Sequence, residues 1–138
     1  MSVDALQVAI KAVIKASEII IATFGNPEGI EYKSRVDVVT ATDKKCEKEI
    51  VRILRSETPD FGIIAEEGTN FPGEKVWIVD PLDGTTNFSH SYPFCGPSIG
   101  LWLGDEVLVG VLADPFRDEL YFATKGNGAY LNNLHNTD

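Results

Sequence analysis

Between Val3 and Phe24 the polar residues Asp4, Gln7, Lys11, Lys15 and Glu18 recur every three or four positions, and most of what separates them is Ala, Val, Ile or Leu. So narrow a polar stripe predicts a helix that buries most of its circumference, ended by Gly25-Asn26-Pro27. Val36 to Thr40 alternates as a short strand. A second helix is expected from Thr42 or Asp43, either of which can cap it, to Arg55. Its buried face is Cys46, Ile50, Val51 and Leu54, and its wet face Lys44, Lys45, Lys48 and Arg52. Phe61 to Ala65 and Val76 to Val79 read as buried strands, the first closed by Glu66-Glu67-Gly68 and the second by Asp80-Pro81. Thr69 to Lys75, with Pro72 and Gly73, reads as a loop.

Downstream, Pro97 to Leu103 and Val107 to Leu112 flank Gly104-Asp105-Glu106, a hairpin signature. Asp114-Pro115 closes the second of these strands, and Glu119 to Ala123 and Ala129 to Leu131 add two more. The order helix, strand, helix and then strands in hairpins predicts an α+β fold, with two N-terminal helices layered on a largely antiparallel sheet. The 138 residues show no repeat and no linker, so residues 1–138 are expected to form a single domain.

Composition narrows the function. At 43% hydrophobic and 24% charged the chain is neither a disordered tail nor a disulfide scaffold. Its net charge of −9 comes without a basic patch, which argues against a nucleic-acid partner. Asp4, Lys11, Lys15 and Glu18 interrupt the most apolar segment, so no membrane span is expected there. No secretory signal is visible, and a cytoplasmic location is the default expectation. Cys46 and Cys95 then read as reduced thiols and the Asn87-Phe88-Ser89 sequon as a coincidence.

The chemistry concentrates in Trp77-Ile-Val-Asp-Pro-Leu-Asp-Gly-Thr-Thr-Asn-Phe88. A buried strand delivers Asp80, and Asp83 follows three residues later at a glycine turn. In a tight turn Asp80, the Leu82 carbonyl and Asp83 present hard oxygen donors suited to a cation such as Mg²⁺. Gly84-Thr85-Thr86 adds hydroxyls and amides where a short helix can start, an anion-binding arrangement. An Asp-Gly pair alone would be an ordinary turn, but the full run makes a poor generic loop. The two-residue gap between the aspartates also departs from the one-residue gap of haloacid-dehalogenase phosphatases. Of Glu66 and Glu67, neighbours in an extended segment, only one is expected to enter the pocket. Asp43 serves equally well as a helix cap.

Taken in order, Val39-Thr-Ala-Thr-Asp43, Ile64-Ala-Glu-Glu-Gly68, the run 77–88, Pro93-Phe94 with Ser98-Ile-Gly100, and Asp114 to Glu119 with Gly126-Asn-Gly-Ala129 resemble the N-terminal half of the inositol monophosphatase family. These are Mg²⁺-dependent, lithium-sensitive phosphatases with an αβαβα sandwich. The Thr-Thr-Asn-Phe ending is similar to the inositol monophosphatase branch rather than to adenosine bisphosphate or histidinol-phosphate phosphatases.

The resemblance implies that Glu66, Asp80 and the Leu82 carbonyl hold one metal, and that Asp80 and Asp83 hold another. It implies that Thr85, bonded to Asp43, orients the attacking water beside Glu66, that the amides of Gly84 and Thr85 hold phosphate, that Lys33 lies near it, and that Glu67 supports the site through a water. The implied reaction is hydrolysis of an inositol monophosphate by a metal-activated water, without a phosphoenzyme. Fructose 1,6-bisphosphate or another sugar or nucleotide phosphate is the alternative substrate, and a homodimer the implied assembly. It also implies a C-terminal half, with a Trp-Asp-x-x-Ala-Gly motif completing the second metal site, that these residues do not contain. The alternative reading is therefore a weakly active or inactive metal- or partner-binding half. That reading predicts an apolar surface on the strand-rich segment 94–131.

Overall fold

In the computed structural model, which describes residues 4–25, 31–32 and 38–134, the first helix α1 (Ala5–Thr23) starts where Asp4 accepts a 3.3 Å hydrogen bond from the Gln7 amide. Val8, Ala9, Ala12, Val13, Ala16, Ile19 and Ile20 are buried, while Lys11 and Glu18 remain exposed, as the polar stripe requires. A two-stranded ladder of β1 (Glu31–Tyr32) and β2 (Val38–Val39) leads into α2 (Ala41–Glu57). Within the expected strand 36–40, Val36 and Asp37 lie outside the described residues.

Helix α2 is capped by Thr40, not by Thr42 or Asp43. Thr40 has extended backbone, and Asp43, at the third helical position, reaches back to the Thr40 amide at 2.6 Å while its own amide donates to Thr40 Oγ1 at 3.3 Å. This reciprocal box satisfies two donors that a helix start otherwise orphans. Cys46, Ile50 and Leu54 face the core as expected, Val51 is half-buried, and Ile53 and Glu47 are buried as well.

Seven strands form one sheet in the order β4-β3-β5-β6-β7-β8-β9. They are β3 (Gly62–Ala65), β4 (Asn70–Phe71), β5 (Lys75–Asp83), β6 (Gly96–Leu103), β7 (Glu106–Asp114), β8 (Glu119–Thr124) and β9 (Ala129–Asn133). Every ladder in it is antiparallel except β3 with β5. The segment 69–75, expected as a loop, contains β4, which pairs with β3. Both helices pack on one face, α1 against β6 and β7 and α2 against β5. That face buries Trp77, Val79, Ile99, Leu101, Val109, Val111, Ala113 and Leu120. The architecture is α+β, as the pattern predicts.

Strand β5 does not stop at Asp80-Pro81. Its register against β6 passes from Asp80↔Ser98 to Asp83↔Gly96, three steps against two, which is a one-residue bulge. A bulge admits proline without requiring its missing amide in the ladder. Pro81 and Leu82 are consequently both buried, and the two aspartates both point away from the core. Residues three apart in a regular strand would face opposite sides. The Gly96 opposite this bulge has no room for a side chain, since a Cβ there would lie 1.9 Å from the Ala113 carbonyl oxygen.

The sheet face away from the helices carries Ile78, Trp102, Leu112, Tyr121 and Leu131, all exposed, over a shallow basin of about 610 Å³ with Asp80 at its rim. Among the described residues no helix is long and apolar enough to cross a membrane. Cys46 and Cys95 are buried free thiols, each pushed up to about 12, chiefly by burial. Asn87 of the sequon lies in a short helix, its side-chain amide donating to the Phe94 carbonyl at 2.9 Å.

Candidate metal and phosphate site

Because β3 and β5 run parallel, with Ala65 opposite Val79, their C-terminal ends lie side by side and bring Glu66 next to Asp80. The Glu66 amide donates to the Val79 carbonyl at 3.1 Å, extending the pairing one step beyond the ladder. Asp80 is half-buried, whereas Glu66 and Asp83 are exposed. Burial, then the charges of Asp83 and Glu66, raise Asp80 from its ordinary 3.8 to about 6; the Leu82 amide, donating to Asp80 Oδ1 at 3.3 Å, opposes the shift, and Asp43 adds to it. The carboxylates of Glu66, Asp80 and Asp83 thus share one field. Among the described residues no group of three or more His, Cys, Asp or Glu side chains is placed closely enough to hold a metal ion.

Beyond the bulge, Gly84 adopts φ +90°, the left-handed region, and turns the chain into α3 (Thr85–Ser89). A Cβ at Gly84 would stand 2.8 Å from the Phe94 carbonyl oxygen. Gly84→Ala should therefore lower stability by about 1–3 kcal/mol, from left-handed strain plus displacement of the 94–95 backbone. Urea unfolding checks this, with the wild-type midpoint as reference.

Thr85 Oγ1 lies 2.8 Å from Asp43 Oδ2 and 2.9 Å from the Leu82 carbonyl oxygen, with one proton to give to either. Asp43 Oδ1 is meanwhile occupied by the Thr40 amide and hydroxyl, at 2.6 and 2.7 Å. Asp43 therefore combines the two readings open from sequence: it belongs to the helix-start box and it also holds Thr85. A hollow of about 450 Å³ opens beside this turn, lined by Asp83, Gly84, Asn87, Phe94 and Cys95 among others.

Of the residues singled out from sequence, Asp43, Glu66, Asp80, Leu82, Asp83, Gly84 and Thr85 come together at the C-terminal end of β5. Glu67 is part-buried, and its amide donates 2.7 Å to the Glu47 carboxylate on α2. Lys33 lies outside the described residues. Glu47 escaped the sequence reading. Its only signal is its position one helical turn after Asp43, on the same face of α2.

Comparison with known proteins bears on the same residues. The model of the inositol monophosphatase family matches residues 3–138. Inositol monophosphatase 3 of Solanum lycopersicum is 46% identical over 133 residues, covering 92% of this chain and 50% of the relative. The crystal structure of the extragenic suppressor protein suhB from Bartonella henselae superposes with TM-score 0.89 at 36% identity, over 93% of this chain and 52% of that one. The IMPase of Thermotoga maritima gives TM-score 0.89 at 35% identity, over 94% of this chain and 51% of that one. The chain thus spans about half the length of the relatives it matches. A bulged strand presenting two aspartates before a glycine turn, on a fold shared this closely and within a family match running almost end to end, has one reading: this chain belongs to the inositol monophosphatase family.

Proposed function

We propose that these residues are the metal- and phosphate-binding half of a Mg²⁺-dependent phosphomonoester hydrolase, with an inositol monophosphate as the first-choice substrate. The observation that carries the proposal is the placement of Glu66 and Asp80 at the adjoining ends of the parallel strands β3 and β5, with Asp83 across the bulge on the same side, where their negative charges repel. A hard divalent cation relieves that repulsion, and the carboxylate and carbonyl oxygens on offer suit Mg²⁺. Glu66, Asp80 and the Leu82 carbonyl would hold one ion, and Asp80 with Asp83 a second, whose remaining ligand belongs to the half not present here. Bound there, such ions supply activation of water near neutral pH and charge stabilisation at the leaving oxygen.

The chain's own groups do the rest. The Thr85 hydroxyl donates its hydrogen bond to Asp43 Oδ2, which leaves a lone pair of Thr85 Oγ1 free to accept a hydrogen bond from the attacking water and aim it. The amides of Gly84 and Thr85, at the turn into α3, bind the phosphate oxygens, and Glu67 acts through a water. Lys33 is assigned to the phosphate by family resemblance alone. A small phosphate monoester is the partner, and a homodimer the proposed assembly.

A second reading, that this half binds metal but turns over poorly, is favoured by the apolar sheet face left open beside Asp80. Phosphate release from inositol 1-phosphate, with and without Mg²⁺ and with Asp80→Asn as control, separates the two. Mg²⁺-dependent release that disappears in the variant is the expected result for a competent hydrolase. No release, with Mg²⁺ still bound, assigns the chain to the second reading. Fructose 1,6-bisphosphate in the same assay tests the alternative substrate.

A further inference from the structure

We propose that Glu47 is a positioning residue that fixes where Glu66 stands relative to Asp80, and that α2 is the splint on which both ligand loops are set. This rests on the metal-site reading above. Glu47 is 6% exposed, and the hydrogen bonds of its carboxylate run to the turn after β3. Both its oxygens leave the helix. Oε1 accepts from the Glu67 amide at 2.7 Å, and Oε2 accepts from the Thr69 amide at 3.2 Å and the Thr69 hydroxyl at 2.6 Å.

These donors belong to the turn that carries Glu66. The turn also closes on itself, the Gly68 amide donating to the Ala65 carbonyl at 3.1 Å and the Ala65 amide to the Thr69 carbonyl at 2.9 Å, with Gly68 at φ +115°. The β3–β4 ladder, by contrast, pairs Ile63 and Ile64 with Phe71 and Asn70 and stops short of Glu67 and Thr69. Glu47 therefore stands in for a missing strand partner, with charge-assisted bonds stronger than ordinary amide pairs.

One turn earlier on the same face, Asp43 holds Thr85 of the other loop. Four residues of helix rise about 6 Å. That rigid step sets the spacing between the Glu66 turn and the Asp83–Thr85 turn, which have no covalent link shorter than β5 and its approach. A carboxylate is required at position 47 because all three incoming groups are donors. Glutamine would present an NH₂ to one side and leave a buried donor unpaired.

The test uses the full 138-residue chain and Mg²⁺ itself. In metal-free protein, hydrogen exchange at the Glu67 and Thr69 amides is read for wild type and Glu47→Gln. Mg²⁺ affinity is then measured by calorimetry at a temperature where both are folded, with Glu49→Gln as a control of equal charge change on the same helix. The expected result is faster exchange at those two amides, unchanged exchange within α2 and β5, and Mg²⁺ affinity weakened by about 10–100-fold. Glu49→Gln should bind as wild type. Should Glu47→Gln fail to fold, Thr69→Val removes one of the three donors and is expected to weaken Mg²⁺ a few-fold. Unchanged Mg²⁺ affinity in the variant that folds, or an equal loss in Glu49→Gln, overturns the proposal. A wild-type chain that binds no Mg²⁺ overturns instead the metal reading, and the exchange result then decides alone whether Glu47 holds the turn.

Discussion

Asp80→Asn should make the metal-free protein more stable at neutral pH. Asp80 is raised to about 6 in the fold, by burial first and by Asp83 and Glu66 next. A carboxylate whose folded pKa lies above its unfolded value penalises the fold once it ionises. The penalty is absent below the unfolded value near 3.8, grows as pH rises, and is complete above about 6. Asparagine removes the charge and keeps an oxygen for the Leu82 amide. With solvent screening of this part-exposed group allowed for, the gain at pH 7.5 in chelator should be about 1–2 kcal/mol, or a Tm rise of roughly 3–10 °C. At pH 3.5 the two proteins should melt alike. Equal melting at pH 7.5, or a variant that melts lower, would contradict the crowded-carboxylate description. The same substitution should abolish Mg²⁺ binding, since under the proposed function the residue that burdens the metal-free fold is also a ligand of the cation.

The largest loss of stability is expected for Trp77→Ala. Trp77 is fully buried on β5, its indole N–H donates to Thr58 Oγ1 at 2.9 Å, and its ring meets Phe61 at 6.1 Å between centroids. Thr58 in turn donates to the Leu54 carbonyl at 2.6 Å, so the indole ties the strand that carries Asp80 to the C-terminal end of α2. Truncation to alanine should cost about 3–5 kcal/mol, a large part of the ~5–15 kcal/mol that holds a domain together. Urea unfolding followed by the fluorescence of Trp102 should show a midpoint displaced accordingly. Thr58→Val, which strands only the indole N–H, should cost about 1–3 kcal/mol. A Trp77→Ala midpoint close to wild type would mean that the α2–β5 contact is not central to the fold.

Much of this architecture is written in local pattern. The polar stripe of α1 reports its buried circumference, and the Gly104-Asp105 turn reports the β6–β7 hairpin, because both depend only on neighbours in sequence. The features that escaped depend on partners far along the chain or on geometry without an alternation signature. Thr40 does not stand out as the cap in sequence because the box is closed by Asp43, an aspartate, where glutamate or glutamine is the usual partner. Strand β5 reads as ending at Pro81 because a bulge is invisible in the hydrophobic pattern, although that bulge is what places Asp80 and Asp83 on one side. Segment 70–71 became a strand only through pairing with β3. The candidate residues around Asp80 stand out in the sequence because they lie within one twelve-residue run and the turn that closes β3. Glu47 does not, since its role exists only once α2 has packed beside the Glu66 turn.

The most direct measurement is a calorimetric titration of Mg²⁺ into the chelator-stripped chain at pH 7.5, wild type beside Asp80→Asn. The account predicts saturable binding to the wild type and none to the variant. No binding to the folded wild type, or equal binding by both proteins, would contradict the assignment of a cation to the carboxylate end of β5.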